Sequence, residues 1–321
     1  MRLVLANRGF ASAGGTQTYL LTLAEHLQRL GHEVFVYAHE LGPFTDHARG
    51  CGIEVRDELR ELPSRTDVIF TQDAVVAYEL AERFPDARHV FRACSDIYDF
   101  ELPPQLDDVV DMVVVVSDRY ARLVRGCGVK APLLRLRSPV DLDRLSPRGG
   151  IRPRPRRAVL LGNYEDRHRL VEDVWGERGI KLVKVGRSKQ RYDVAAAVAD
   201  ADIVVAKSRA ALEGMACGRA VYIYDMLGGD GWVTPAAYPS LEADNFAGQA
   251  TTRVIGAEDL LRDLDEYDPR MGIENRDIAV QHHGARDHAL QLLAGIEGRP
   301  SNGRPSAPLR ELARLTALQW S

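Results

Sequence analysis

Short apolar runs alternate with helix-period segments from one end of the chain to the other. A run that is apolar at every position must be covered on both faces. Strands of that kind, separated by helices, form a parallel sheet between helical layers. In the first part of the chain the strands read RLVLAN (2–7), EVFVYA (33–38), DVIFTQ (67–72), ARHVFRA (87–93) and DMVVVVS (111–117). Helices are predicted over 15–31, 75–84 and 118–128. The first sets Tyr19, Leu20, Leu23, Leu27 and Leu30 at helical spacing and stops at Gly31.

The pattern breaks at SPRGGIRPRPRR (146–157), where Pro, Gly and Arg displace any periodicity, and then resumes. Strands are expected at AVLLGN (158–163), IKLVKVG (180–186), DIVVAK (202–207) and AVYIYD (220–225), with helices at 167–178, 191–200, 209–217 and 275–296. A second polar break, EGRPSNGRPSAP (297–308), precedes LRELARLTALQW (309–320). That helix is too short to stand alone and is expected to dock. The 321 residues suit two domains. The expected division is 1–148, a linker over 149–157, a second domain over 158–296, and a polar linker with a terminal helix over 297–321. Both are expected to be Rossmann-like α/β domains, facing each other across a cleft onto which the carboxyl ends of the strands open.

Composition excludes several functions. A net charge of −4 and a pI near 6.2 supply no field for nucleic acid. Four scattered cysteines, Cys51, Cys94, Cys127 and Cys217, form neither a zinc motif nor a disulfide framework. No apolar run approaches membrane-spanning length, and residues 1–9 read as a strand rather than a leader. A cytoplasmic protein is expected, with no transmembrane segment; peripheral membrane contact and the oligomeric state are left open.

Two stretches carry the chemistry. In NRGFASAGGTQTY (7–19) a strand ends, Gly14 and Gly15 permit close approach, and a helix begins at whose start Thr16 stands. Free amides at a helix start attract phosphate or sugar oxygens. An ordinary strand-to-helix turn reads as well, since neither a Walker loop nor a G-x-G-x-x-G fingerprint is present. In KSRAALEGMACGRAVYIYD (207–225), Ser208 is the expected N-cap, and Lys207 and Arg209 add positive charge beside the first amides. Glu213 lies a turn further in, where a carboxylate can grip a ribose diol; the plainer alternative is a solvated helix residue. MLGGDGWVTP (226–235) reads as a loop after a strand, with Asp230 and Trp232 as sugar contacts or as parts of a plain flexible loop. His282 and His283 fit a structural role on a long helix better than a catalytic one.

These stretches together resemble the family-4 retaining glycosyltransferases of the GT-B fold. AGGTQTYLLTLAEHLQRLGHEVFVYA is similar to their opening, VVVVSDRYARLV with SPVDLDRLSP to their segments before the second domain, and ALEGMACGRAVYIYD to their glutamate motif. The resemblance runs in order across most of 1–235. It implies that Glu213 binds the donor ribose, that Ser208, Arg209, Ala210 and Ala211 hold the diphosphate, and that Gly14, Gly15 and Thr16 contact donor phosphate or sugar. It also implies that Gly186, Arg187 and Ser188 lie by the base. Asp96 is the acceptor-side candidate.

The chain departs from the family pattern in places. Val205 stands where a second motif acid is usual, Asn163 where an arginine is usual, and Ser95 where a histidine is usual; the second domain is short by about one βα unit. Arg167, Arg169, Arg187, Lys189, Lys207 and Arg209 are the substitute cations. The implied activity is transfer of a sugar from a nucleotide-diphosphate sugar, UDP- or GDP-linked, to a small-molecule, glycan or lipid-linked acceptor. Retention at the anomeric carbon is expected, with no metal or other cofactor required. The alternatives are an isomerase similar to nucleotide-sugar 2-epimerases and a non-catalytic GT-B-like binding scaffold.

Overall fold

A computed structural model describes residues 1–95, 99–162, 169–186, 192–225, 228–297, 301, 303–305 and 307–318. The chain divides into two compact units, Met1–Leu136 with Arg286–Ser321, and Arg137–Ala285.

The first unit is built on a seven-stranded sheet of order β3-β2-β1-β4-β5-β6-β7. Its strands are β1 (Arg2–Ala6), β2 (Glu33–Tyr37), β3 (Glu54–Arg56), β4 (Val68–Thr71), β5 (Arg88–Ala93), β6 (Met112–Val115) and β7 (Leu133–Arg135). Every neighbouring pair is parallel. The apolar runs predict this, because Val4, Leu5, Ile69, Phe70, Val113 and Val114 are all fully buried. Helices α1 (Gly15–Arg29), α2 (Pro43–Gly50), α3 (Ala74–Arg83) and α4 (Asp118–Gly126) fall between the strands. The Asp73 carboxylate caps α3 by accepting the Val75 amide, and Ser117 caps α4 through Tyr120. α1 ends where Gly31 takes a φ of +85°.

The second unit carries a five-stranded sheet of order β12-β11-β10-β8-β9. β8 (Arg157–Leu161), β9 (Lys181–Val185), β10 (Ile203–Ala206) and β11 (Ala220–Asp225) run parallel. Its helices are α5 (Arg169–Glu177), α6 (Val194–Val198), α7 (Ser208–Ala216), α8 (Tyr238–Ala243), α9 (Ala257–Asp265) and α10 (Arg270–His282).

The stretch 226–235, expected as a loop, contains β12 (Gly228–Trp232), an antiparallel edge strand on β11. Its glycines permit the pairing rather than preventing it. Gly228 has a φ of +135°, and a Cβ on Gly229 would fall 2.6 Å from the Ile223 carbonyl oxygen beside a register shift in β11. The single helix expected over 275–296 is two, α10 and α11 (Ala285–Ile296), broken at His283–Gly284, where Gly284 bridges to Val140.

The Pro/Arg segment expected as the 149–157 linker packs firmly within the second unit. Arg152 pairs with Asp202, and buried Arg219 donates to the carbonyls of Gly149, Ala201 and Cys217. The closing helix α12 (Leu309–Leu318) belongs to the first unit and docks on α3, burying Leu309 and Ala313 beside Val75 and Tyr78.

Candidate functional site

In the second unit β10 ends at Ala206, and α7 begins two residues later, so the helix start lies at the carboxyl end of the sheet. Small residues allow the helix to sit close. A Cβ on Gly214 would come within 2.9 Å of Val204 and 3.1 Å of Val221. Val205 is fully buried in β10 between Leu160 and Tyr222, so an acid at that position would be stranded in the core.

Lys207, not Ser208, occupies the cap position, with extended backbone and no side-chain cap bond. Ser208 has a φ of +50°, a conformation that costs energy for a residue with a Cβ. Its amide donates to the Phe246 carbonyl at 2.7 Å, and the Ala211 amide donates to the Lys207 carbonyl at 3.4 Å. Two of the amides expected to receive a diphosphate are therefore engaged within the protein. Ala210 and Arg209 complete that first turn, both half-buried.

The charged side chains around this turn are paired. Lys207 Nζ contacts the Asp225 carboxylate at the end of β11. Arg209 Nε lies 3.3 Å from Glu213 Oε1, and Arg209 Nη1 donates to the Pro139 carbonyl at 2.7 Å. Both Arg209 and Glu213 side chains are 13% exposed. Burial pushes the Glu213 carboxyl above the ordinary glutamate value, while Arg209 and Arg144 pull it back. The SPV segment lines this corner: Ser138 donates to Asn245 Oδ1 at 2.9 Å, next to Phe246. A carboxylate that accepts from hydroxyls and two cations that donate to oxyanions thus lie on one strand-to-helix crossover. Asp225, Pro139 and Arg144 were not among the expected residues; the position of Asp225 as the last residue of a predicted strand was the available signal.

The other expected contacts in this unit divide. Gly186 follows β9 and is half-buried, whereas Arg187 and Ser188 lie outside the described residues. The Asp230 carboxylate accepts the amides of Ala250 and Thr251 and the Thr251 hydroxyl, closing the 250–251 turn onto β12. Trp232 is buried. Its indole donates to the Asp263 carbonyl at 2.6 Å, and its ring packs in a cluster with Trp175, Tyr222 and Tyr267. His283 is structural, bonded to the Ser138 carbonyl at 2.8 Å and the Tyr238 hydroxyl at 3.1 Å, and burial lowers its imidazole to about 4.

In the first unit Gly14 caps α1 with extended backbone, and its carbonyl accepts from the Thr18 amide and hydroxyl. Gly15 is exposed, and the Thr16 carbonyl accepts from Gln72 Nε2 at 3.2 Å. The Ser95 hydroxyl donates to the Glu101 carboxylate. Asp96 lies outside the described residues.

No protein-family profile matches the chain, and no curated protein matches its sequence. Solved structures do match its fold. Anabaena HepE in complex with UDP and glucose superposes with a TM-score of 0.67 at 12% identity, over 92% of this chain and 99% of that one. A glycosyltransferase from Rickettsia africae gives 0.63 at 13%, over 92% and 97%. An alpha-glucosyltransferase in complex with UDP and a DNA containing an HMU base gives 0.61 at 13%, over 92% and 98%. No described helix is long and apolar enough to cross a membrane. With two α/β units, one on a parallel seven-stranded sheet, matched over nearly their whole length by glycosyltransferase structures, the chain has the GT-B fold.

Proposed function

We propose that this protein is a glycosyltransferase that moves a sugar from a nucleotide-diphosphate sugar to an acceptor, with retention at the anomeric carbon. The observation that carries the reading is Glu213, poised one turn into a helix that starts at the carboxyl end of β10 with Lys207 and Arg209 at its mouth. On this reading the Glu213 carboxylate accepts from the ribose hydroxyls. Lys207, Arg209 and the Ala210 amide face the diphosphate. Breaking the sugar–phosphate bond builds negative charge on the leaving group, and donors already in place stabilise that charge as it develops. Arg209 exchanges its bond to Glu213 for one to phosphate when donor binds, which frees the carboxylate for the ribose. UDP is the leading nucleotide, because HepE and the alpha-glucosyltransferase were each solved with it. The acceptor is met in the first unit, where Asp96 is the candidate residue.

The test is turnover. UDP- and GDP-sugars are incubated with the full-length protein and a panel of glycan, lipid-linked and small-molecule acceptors, and release of nucleoside diphosphate and product stereochemistry are followed. Product of the donor's own anomeric configuration, lost in Lys207→Met, supports the reading. Donor converted to its epimer without an acceptor would replace it with the isomerase.

A further inference from the structure

In the first unit the connections out of β1, β2, β4 and β6 carry the helices α1 to α4, whereas the one from β3 to β4 carries a short 3-10 turn, Leu59–Glu61. A turn covers less of a sheet than a helix does. Beside this one lies an open groove of about 630 Å³, lined by the turn and by α3, a size that suits a small ligand. Tyr37, the last residue of β2, lines the groove although it is only 3% exposed. Arg310 lines it from the first turn of α12, so the docked terminal helix completes it.

The charges around the groove are arranged in an unexpected way. Glu79 and Arg83 stand four residues apart on α3 with the acid nearer the N-terminus, the order that favours a pair along a helix. They do not pair. Glu79 Oε2 lies 2.7 Å from His39 Nε2 and accepts the Tyr37 hydroxyl at 3.4 Å. That bond raises the His39 imidazole above its ordinary value, so the ring offsets the charge of Glu79. Arg83, half-buried, reaches the Pro63 carbonyl at 3.4 Å and lies 4.7 Å from the centre of the Phe84 ring. Arg60 and Arg310 bring two more cations to the groove, paired with Glu58 and Glu82. Guanidinium forks fit carboxylates and phosphates, and carboxylates accept from hydroxyls. The Tyr37 ring and Leu59 add the apolar contact. Three arginines against two acids match neither a cation nor an apolar ligand; they match a hydroxylated anion.

We propose that this groove binds a saccharide unit bearing a carboxylate or a phosphate, with Arg83 holding the anion while Glu58 and Glu79 accept from hydroxyls. The site stands on first-unit residues alone and does not depend on the donor reading.

The experiment is calorimetric titration of the full-length protein with glucuronate, glucose 6-phosphate and glucose. It is run on wild type, Arg83→Gln, Arg60→Glu and Glu213→Ala. Wild type and Glu213→Ala are expected to bind one of the two anionic sugars alike, at least about ten-fold more tightly than glucose. Arg83→Gln should bind it about ten- to a hundred-fold more weakly, the loss expected for a charge-assisted contact. Arg60 is 79% exposed, so Arg60→Glu should lose about ten-fold with an unchanged melting temperature, and the test survives if Arg83→Gln fails to fold. Preference for glucuronate assigns a carboxylated unit, and preference for glucose 6-phosphate a phosphorylated one. No saturable binding of either to wild type, glucose bound as tightly, undiminished binding in Arg60→Glu, or loss in Glu213→Ala would each overturn the proposal. Failure of every nucleoside diphosphate to bind would count against the donor reading while leaving this site intact.

Discussion

The candidacy of Glu213 rests on its surroundings in the sequence, a strand end, a cation and an acid within a run of small residues, whereas the expected Ser208 cap gave way to Lys207. Asp230 and Trp232 were not legible in that way. A Gly-rich turn with an aromatic looks the same whether the ring stacks on sugar or on Trp175. The group that decides it, the Asp263 carbonyl, is 31 residues away. Asp230→Ala accordingly should cost stability, about 1–2 kcal/mol by chemical denaturation, because the Ala250 and Thr251 amides lose their acceptor. An unchanged denaturation midpoint would contradict its structural role. His283 supplies a second test. Its imidazole, held at about 4 by burial, should stay neutral through pH 5 in an NMR titration. His39, raised by its bond to Glu79, should protonate above the ordinary histidine value. The sign of the linkage follows. Unfolded His283 titrates near 6.5, so its contribution to stability is complete above that pH and is lost as pH falls toward 4, about 3 kcal/mol in all. Asp73, raised to about 6, works in the opposite sense over part of the same range, which is why the direct titration is the cleaner measurement.

At the scale of elements, long periodic segments and continuous apolar runs were readable, and short ones were not. α1, α3 and α4 follow the predicted stripes, whereas α2, β3 and β7 have eight, three and three residues and too little pattern to stand out. β12 was hidden because its sequence, GGDGW, has no strand propensity; pairing with β11 makes it a strand. The helix over 275–296 was merged because both halves share a helical period, and only the chain's bridge to Val140 marks the break. The docking of α12 follows from its leucine stripe. Leu309, 2% exposed against α3, anchors it. Leu309→Ala should destabilise the first unit by about 2–4 kcal/mol in a urea titration, and a change below about 0.5 kcal/mol would show that the helix is not docked there in solution.

Across the whole molecule the candidate residues of each unit lie at a strand-to-helix crossover on the carboxyl edge of its own sheet. In the first unit that corner holds Gly14, Gly15, Thr16 and Gln72; in the second it holds Lys207, Arg209, Glu213 and Asp225. Two Rossmann-like α/β units were predictable because alternation of apolar strands and helices survives any loop change, and the GT-B fold followed from the resemblance of the motifs. Which helix closes which unit was not, because α11 and α12 join the first unit only through tertiary contacts such as Tyr19 with His288 and Arg88 with the Ile296 carbonyl. The central claim is that Glu213 marks a nucleotide site, and calorimetry with UDP, GDP, ADP and dTDP on wild type and Glu213→Ala tests it most directly. The account predicts saturable binding of one nucleoside diphosphate, weakened about ten- to a hundred-fold in the mutant without loss of fold. Binding that is unchanged in Glu213→Ala, or absent from the wild type for all four nucleotides, would contradict it and leave a GT-B scaffold without a donor site.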